Sequence, residues 1–472
     1  MAERSVAIVL AAGSASRFGG VKLLATLGGR PVLQHVLDAL AEAGVADVVV
    51  VLGSGADAIE GAIAWRTERR VRNPDPSRGL SSSLLVGLAA VPAGAASALI
   101  VLGDQPALRS DVIRELLDAP ADEARPIVVP RYADDAARNP VRLDRAAFAL
   151  ADEVSGDRGL GPVLAAHPGL VREIPVPGDN PDVDRPEDLA VAAAANWASR
   201  VRADREQVER HREVPDGRDF YAPVRSIFRA DPDRTDDPML DVLRSLAVPG
   251  ETWLDIGAGA GRYALPLARI AGRVIALDPS AGMLETLEED AASHGIGNVE
   301  TIRGRWPPGE SDPEVAAALG PLPCADVGFI AHVGYDVEAI LPFIDAMEAA
   351  ARRVCIAVLM DAQPGSLAAP LWPAVHGETR VILPGLNELV ELLRLRGRRP
   401  GLRRVPRDPR RFESRDELVG FVRRQLWVAE GGEKDAQLLA ALEPLVTEDE
   451  RGFLLGIEPP GGIGIVTWTS PR

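Results

Sequence analysis

Leu10-Ala11-Ala12-Gly13-Ser14-Ala15-Ser16-Arg17-Phe18-Gly19-Gly20-Val21-Lys22 and Leu254-Asp255-Ile256-Gly257-Ala258-Gly259-Ala260-Gly261 each follow a short apolar run. A buried strand that ends in a glycine-rich loop is the usual start of a nucleotide-binding α/β unit, because amides freed of side chains can approach phosphate or ribose. Two such starts, far apart on one chain of 472 residues, predict two α/β domains with separate ligands.

Around the first start, Val6–Leu10, Val48–Leu52, Ala98–Leu102 and Ile127–Val129 read as buried strands, with helices at Pro31–Ala43 and Ser81–Ala90 between them. That alternation favours a mostly parallel sheet covered on both faces. The rhythm ends after the Ala-rich helix Asp188–Ala195 and restarts near Phe220, with strands at Thr252–Ile256, Val274–Leu277, Val299–Ile302, Val327–Ile330 and Val354–Leu359. The expected fold class is therefore two doubly wound, Rossmann-like α/β domains, at residues 1–196 and 220–472. A charged connector, expected to be partly helical and solvated, spans 197–219.

The net charge of −17 argues against a nucleic-acid or anionic-membrane binder, since either polyanion would be repelled. Neither Cys324 nor Cys355 has metal-ligand spacing, and each lies in or beside an apolar run, as buried small hydrophobes do. No apolar stretch approaches the ~20 residues of a membrane span, and Met1–Gly13 runs straight into a strand without a signal-type segment. The expectation is a soluble cytoplasmic protein that acts on small molecules.

In the first half, the loop at Gly13 with Arg17, Gly19 and Lys22 offers amides and two cations to a triphosphate, but lacks the Walker pattern GxxxxGK[ST]. Leu102-Gly103-Asp104-Gln105-Pro106 closes a strand with a carboxylate at the edge where open sheets bind ligands. Pro181-Asp182-Val183-Asp184-Arg185-Pro186-Glu187-Asp188 brings further carboxylates, and hard oxygens from two loops, Asp104 and Asp182, suit Mg²⁺ carried in with a nucleotide. Asp184 and Asp188 can equally cap the helix after Pro186, and Ser81–Ser83 can simply start a helix. His35 reads as a surface or core residue of an amphipathic helix.

Together, Leu10–Gly13, Arg17–Lys22, Asp104–Pro106 and Asp182–Asp188 resemble the MobA-like nucleotidyltransferases over about 195 residues, most closely the molybdenum cofactor cytidylyltransferase branch. Asn73-Pro74 leading into Gly79–Leu84 resembles that family's base loop, while Asn139–Val141 and Gly156–Gly159 resemble its acceptor side. The resemblance implies Mg²⁺-dependent attack of an acceptor phosphate on a nucleoside triphosphate with loss of pyrophosphate. LAAG in place of LAGG leans towards CTP. It further implies Arg17, Lys22 and Asp104 as catalytic residues, Ala11, Ala12, Gly13, Gly19, Ser81 and Ser82 as nucleotide-binding residues, and Asp104 and Asp182 as metal ligands. Molybdenum-cofactor acceptor proteins would be its partners. Leu160-Gly161, after Gly156-Asp157-Arg158-Gly159, departs from the family pattern and leaves a sugar or alcohol phosphate open as acceptor.

In the second half, Asp255 ends a strand before a GxGxG loop, and Val274–Asp278 would end a second strand about one helix later. A carboxylate at Asp278 can accept both ribose hydroxyl protons. With the helix start Pro279–Leu284, this resembles the class I S-adenosylmethionine-dependent methyltransferases. The resemblance implies donor binding by Asp255, Gly257, Gly259, Gly261 and Asp278. Arg303–Pro307 replaces the acidic residue that many members place near adenine, and Trp306 either stacks on the base or packs as a loop aromatic. His332 either orients or deprotonates an acceptor or is structural, and Trp372–Leu383 is a candidate lid. The methyl acceptor is not legible, and a regulatory, non-catalytic second domain is the alternative.

Overall fold

A computed structural model describes residues 5–13, 18–132, 138–215, 229–309, 312–406, 409–457 and 461–470. The chain divides into two compact units, Met1–Asn196 and Trp197–Arg472.

The first unit is built on β1 (Ser5–Ala11), β2 (Val48–Leu52), β3 (Arg69–Arg72), β4 (Ser97–Leu102), β5 (Ile127–Arg131), β6 (Val141–Asp144) and β7 (Val171–Pro175). Their order in the sheet is β3-β2-β1-β4-β6-β5-β7, and β6 alone runs antiparallel to its neighbours. The strands are apolar throughout because both faces are covered. In β1, Ala7, Val9 and Ala11 enter one core while Val6, Ile8 and Leu10 enter the other. Helix α1 (Val32–Glu42) lines the first core. Helix α2 (Leu80–Ala89) lies across β1 so closely that a Cβ on Gly87 would collide with Ile8. Parallel pairing runs through Leu10 and Leu102, so the loops after β1 and β4 leave the sheet side by side.

The second unit has β8 (Thr252–Ile256), β9 (Arg273–Asp278), β10 (Val299–Arg303), β11 (Ala325–Ala331), β12 (Ala351–Met360), β13 (Gly401–Val405) and β17 (Ile463–Trp468), in the order β10-β9-β8-β11-β12-β17-β13. The first five are parallel, and β17 runs antiparallel between β12 and β13. The strands β14 (Arg411–Phe412), β15 (Val446–Asp449) and β16 (Gly452–Leu455) form a small antiparallel sheet beside helices Arg415–Gln425 and Glu433–Leu442, with their own core. Trp372, expected in a lid, is fully buried in that core, its ring centroid 4.2 Å from that of His376. The Arg380 guanidinium stands 4.4 Å from the Trp372 ring centroid. This stretch is structural because its aromatic face is already covered.

Helix α3 (Asp188–His211) extends well past the expected Ala195. Residues 197–211, expected in a solvated connector, are bound to the second unit. Trp197, Val201 and Val208 recur at helical spacing and are buried. The Trp197 indole N–H donates to Val337 O at 3.0 Å, and Arg200 reaches Ile382 O at 2.8 Å and Glu388 at 2.6 Å. Arg202 pairs with Glu338 at 2.5 Å, and the Gln207 amide bonds Thr379 O and Val381 N at 2.8 and 2.9 Å. The charged residues thus have fixed partners, which composition alone could not reveal. No helix among the described residues is long and apolar enough to cross a membrane.

The last strand is tied in by a buried carboxylate. Glu348 accepts from Arg398 Nε and Nη2 at 2.9 and 2.7 Å and from the Trp468 indole at 3.0 Å. Arg398→Ala would leave that carboxylate unpaired, and the expected loss is about 3–5 kcal/mol of stability, read from urea-denaturation midpoints. Replacing both partners, Arg398→Met with Glu348→Met, should cost less than Arg398→Ala alone; equal or greater loss would show that the charge pair is not what holds the strand.

Candidate active sites

Both candidate sites lie at the carboxyl edges of their sheets, where the chain reverses direction of winding between β1 and β4 and between β8 and β11. In the first unit Lys22 stands at the centre. Its ammonium donates to Asp104 Oδ2 at 2.5 Å and to Asp184 Oδ1 at 2.8 Å. Desolvation works against the charged ammonium, but the Asp104 and Asp184 carboxylates outweigh it and hold the pKa above the usual lysine value. Asp104 lies two residues past the end of β4, and its carbonyl accepts from Val183 N–H at 2.9 Å, which clips the Asp182–Asp188 loop to the strand end.

Asp182 is exposed over part of its surface, yet the protein crowding its carboxyl, with the nearby charge of Asp104, pushes its pKa up to about 6. Gln105, fully buried, donates to Asp182 Oδ1 at 2.7 Å and to Asn180 O at 3.2 Å, and accepts from the Asn180 amide at 3.1 Å. Gln105, Asn180 and Asp184 were not anticipated as site residues from the sequence. The signal was present for Gln105, which follows Asp104 inside the motif. Asp188 does not cap outward; its carboxylate reaches back to the amides of Asp184 and Arg185 at 2.9 and 2.8 Å.

Among the described residues, no three of His, Cys, Asp or Glu are grouped to hold a metal ion. Asp104 and Asp182 still fit Mg²⁺, which keeps most of its shell for phosphate and water and needs only one or two carboxylates. The pKa of Asp182 is raised first by its loss of water and then by the charge of Asp104, and a cation between the two carboxyls would offset both.

Ala11 and Ala12 are buried, and Gly53 packs so tightly that a Cβ there would strike Ala12 O. Gly13 is exposed, and Gly19 has φ +75 with open space around it. Arg17 lies outside the described residues. Ser81 and Ser82 start α2, as the plainer reading held, and are also tied to the base-loop segment. Asn73 Nδ2 donates to Ser82 Oγ at 2.8 Å, and Ser82 Oγ donates to Gly79 O at 2.8 Å. Ser81 N–H donates to Gly156 O at 3.1 Å, so Gly79–Ser82 and Gly156–Gly159 form one packed wall. A Cβ on Gly79, at φ +87, would collide with Asp157 and Gly156. His35 bonds Leu27 O at 2.7 Å and is structural.

In the second unit the glycine loop folds back on β9. Gly257 and Ala258 amides donate to Leu277 O at 2.7 and 3.1 Å, and Gly259 N–H donates to Asp278 Oδ2 at 2.9 Å. Asp278 Oδ1 accepts from Ser280 N–H at 2.8 Å. Gly257, Gly259 and Gly261 all have positive φ, at 75°, 54° and 82°. A Cβ on Gly257 would overlap Val333, and one on Gly261 would crowd Leu265 and Leu287. Asp255, Gly257, Gly259, Gly261 and Asp278 are therefore brought together on one loop pair. Asp278 stands at the end of β9 with its carboxylate held by two loop amides, at the edge of the sheet beside the glycine loop. Trp306 packs as a loop aromatic, its indole donating to Phe343 O at 3.3 Å.

Asp255 is buried beside Asp278. Burial, reinforced by the charge of Asp278, raises its pKa to about 8 against a usual value of 3.8. The folded chain thus retains a proton there that the unfolded chain releases. Asp255 subtracts nothing from stability below pH ~4, and its penalty grows as pH rises to about 8. Asp255→Asn is expected to raise the melting temperature by several degrees at pH 8.5 and by much less at pH 4.5; a pH-independent change would contradict a neutral Asp255.

The sequence pattern of the MobA-like NTP transferase domain matches residues 7–171, and that of a methyltransferase domain matches residues 254–312. Among curated proteins, the bifunctional protein GlmU of an Exiguobacterium species is 32% identical over 133 residues, which are 28% of this chain and 29% of that protein. GlmU of Xanthomonas campestris pv. campestris is 35% identical over 115 residues, 24% of this chain and 25% of the relative. The chain thus spans under a third of the length of these curated relatives. Among solved structures, Rv0371c from Mycobacterium tuberculosis H37Rv is 32% identical and covers 40% of this chain and 96% of its own, with a TM-score of 0.36. The chain therefore carries a MobA-like NTP transferase domain in its first unit and a methyltransferase domain in its second.

Proposed function

We propose that the protein is a bifunctional transferase. Residues 1–196 transfer a cytidylyl group from CTP to the phosphate of a molybdopterin-type acceptor, and the second unit transfers a methyl group from S-adenosylmethionine. The observation that carries the first reading is the Lys22 ammonium held between Asp104 and Asp184 at the β1/β4 crevice. Glycine-loop amides at Gly13 and Gly19 bind the triphosphate, and Arg17 and Lys22 offset charge that builds on the leaving pyrophosphate. The acceptor phosphate is already an anion, so no group of the chain needs to remove a proton. Asp104 and Asp182 would hold Mg²⁺, which would supply neutralisation of phosphate oxygens and polarisation of the α-phosphorus. Lys22 would exchange its bond with Asp104 for one with the phosphates. The base sits on the Asn73 and Gly79–Ser82 wall.

In the second unit, Gly257–Gly261 admit the donor's amino-acid part and Asp278 accepts its ribose hydroxyls. Buried Asp255 stays neutral at pH 7 and adds no repulsion to Asp278. The protein acts on small molecules, and the setting proposed for it is the cytoplasm, with molybdenum-cofactor acceptor proteins as downstream partners.

Asp104→Asn should cut pyrophosphate release at least about a hundredfold while leaving the fold intact by thermal melting. Release would be followed with each nucleoside triphosphate, Mg²⁺ and molybdenum cofactor. Dependence on CTP and cofactor supports the reading, whereas release only with a sugar phosphate would transfer the first unit to that acceptor class. Asp278→Ala should weaken S-adenosylmethionine binding at least about tenfold by calorimetry, from the ~1.5–3 kcal/mol of a hydrogen bond to a charged group. An equal dissociation constant in both chains would overturn the donor site.

A further inference from the structure

We infer that Gln105, locked in place by Asn180, is a positioning residue for the cation site of the first unit: it fixes the angle of the Asp182 carboxylate and its spacing from Asp104, and so favours a small octahedral cation over a larger one. The inference rests on the nucleotidyl-transfer reading and adds to it two residues that act through Asp182.

The direction of the Gln105 amide is dictated by its surroundings. Its nitrogen faces two acceptors, Asn180 O at 3.2 Å and Asp182 Oδ1 at 2.7 Å. Its oxygen is met by a donor, Asn180 Nδ2, at 3.1 Å. Both N–H groups of the amide and its carbonyl are therefore committed, and a flipped amide would set oxygen against oxygen at the two former contacts.

Burial separates the members of this chain of bonds. Gln105 and Asn180 are 1% and 2% exposed, whereas Asp182 is at the surface. A carboxylate in water satisfies its oxygens with solvent and turns freely about its side-chain bonds. A buried amide that served only to tie the Asn180 loop would keep both N–H groups within the core. Here one of them reaches out to an exposed oxygen and removes its freedom to rotate, as the partners that orient metal-ligating groups do.

Gln105 is also joined to both carboxylates. Asp104 precedes it in the chain, and the Asp104 carbonyl accepts from the N–H of Val183, the residue after Asp182, at 2.9 Å. The link to Asp104 is thus backbone and the link to Asp182 is the amide. The backbone of Gln105 is itself held in a turn, because Leu108 N–H donates to Gln105 O at 3.2 Å and Leu108 is buried. One residue spans the two carboxylates, so a change in its bonding alters the gap between them.

The consequence is selectivity. Magnesium demands a near-regular octahedron at short distances, while calcium takes more oxygens, in flexible geometry, and accepts a carboxylate through one oxygen or two. Two carboxylates at a fixed spacing, one of them with an oxygen already engaged by an amide, suit the first kind of ion. Carboxylates that are free to turn suit the second. Manganese shares the octahedral preference and the oxygen ligands of magnesium and serves as its probe.

The test titrates Mn²⁺ into the full chain, reads the free ion by electron paramagnetic resonance, and then displaces it with Ca²⁺. Gln105→Met keeps the length of the side chain without its hydrogen bonds. The expected result is Mn²⁺ affinity lower by about tenfold or more and Ca²⁺ affinity changed by less than about threefold, so that the preference for Mn²⁺ falls. Asn180→Asp sets a carboxylate against the Gln105 oxygen, which turns the amide over and presents that oxygen to Asp182. It should lose the preference in the same way, and it carries the test should Gln105→Met fail to fold. Equal losses for the two ions, or no loss, in a variant that melts cooperatively within a few degrees of the wild type overturns the inference and leaves the cation site standing. A wild-type chain that binds Mn²⁺ neither alone nor with CTP overturns the cation site itself.

Discussion

Parallel pairing of a central strand with a neighbour reached only by a long crossover is the constraint on which both units depend. A parallel partner cannot be joined by a hairpin, so the two chain ends emerge together on one side while the connecting helices cover the faces. In the first unit this brings the loop after Leu10 beside Gly103 and Asp104, and in the second the loop after Ile256 beside His332. Everything polar in either site hangs from those edges. The cores can then be almost wholly aliphatic, as alternate residues of β1 show.

The edges are not comfortable places for the residues that occupy them. Asp255 is raised to about 8 and Asp182 to about 6, each first by loss of water and then by a neighbouring carboxylate. Three glycines of one loop adopt left-handed conformations, and His332 does so with a side chain. The stability for this comes from elsewhere, from sheets buried on both sides and from fixed carboxylates such as Glu348. The Lys22 cluster differs in kind, because its charges satisfy one another.

Much of this was legible from residue order. The apolar runs at Val48–Leu52 and Thr252–Ile256 coincide with strands, and the glycine patterns placed Gly257–Gly261 beside Asp278. What escaped was non-local. Strands Val141–Asp144 and Gly401–Val405 are short or exposed, and these two and the buried Ile463–Trp468 pair antiparallel, so their identity depends on partners far away in sequence. The Lys22–Asp184 bond joins residues 162 apart, and Gln105 meets Asn180 across 75. Lid-like polarity around Trp372 concealed a buried ring, because the polar neighbours His376 and Arg380 are themselves its packing.

The second half of α3 illustrates how charge can disguise order. Arg200, Arg202, Arg205, Arg210 and Arg212 lie in or just beyond a helix whose other residues are bound to the second unit. Proteases prefer exposed loop tips, and here the peptide groups are committed to helical hydrogen bonds while Gln207 and Arg200 are clasped by loops. This arginine-rich stretch is thus poorly suited to being cut, and an inserted spacer would be as ill received there as in a core helix. The natural place to graft, split or lengthen this protein lies outside this helix, for all its charge.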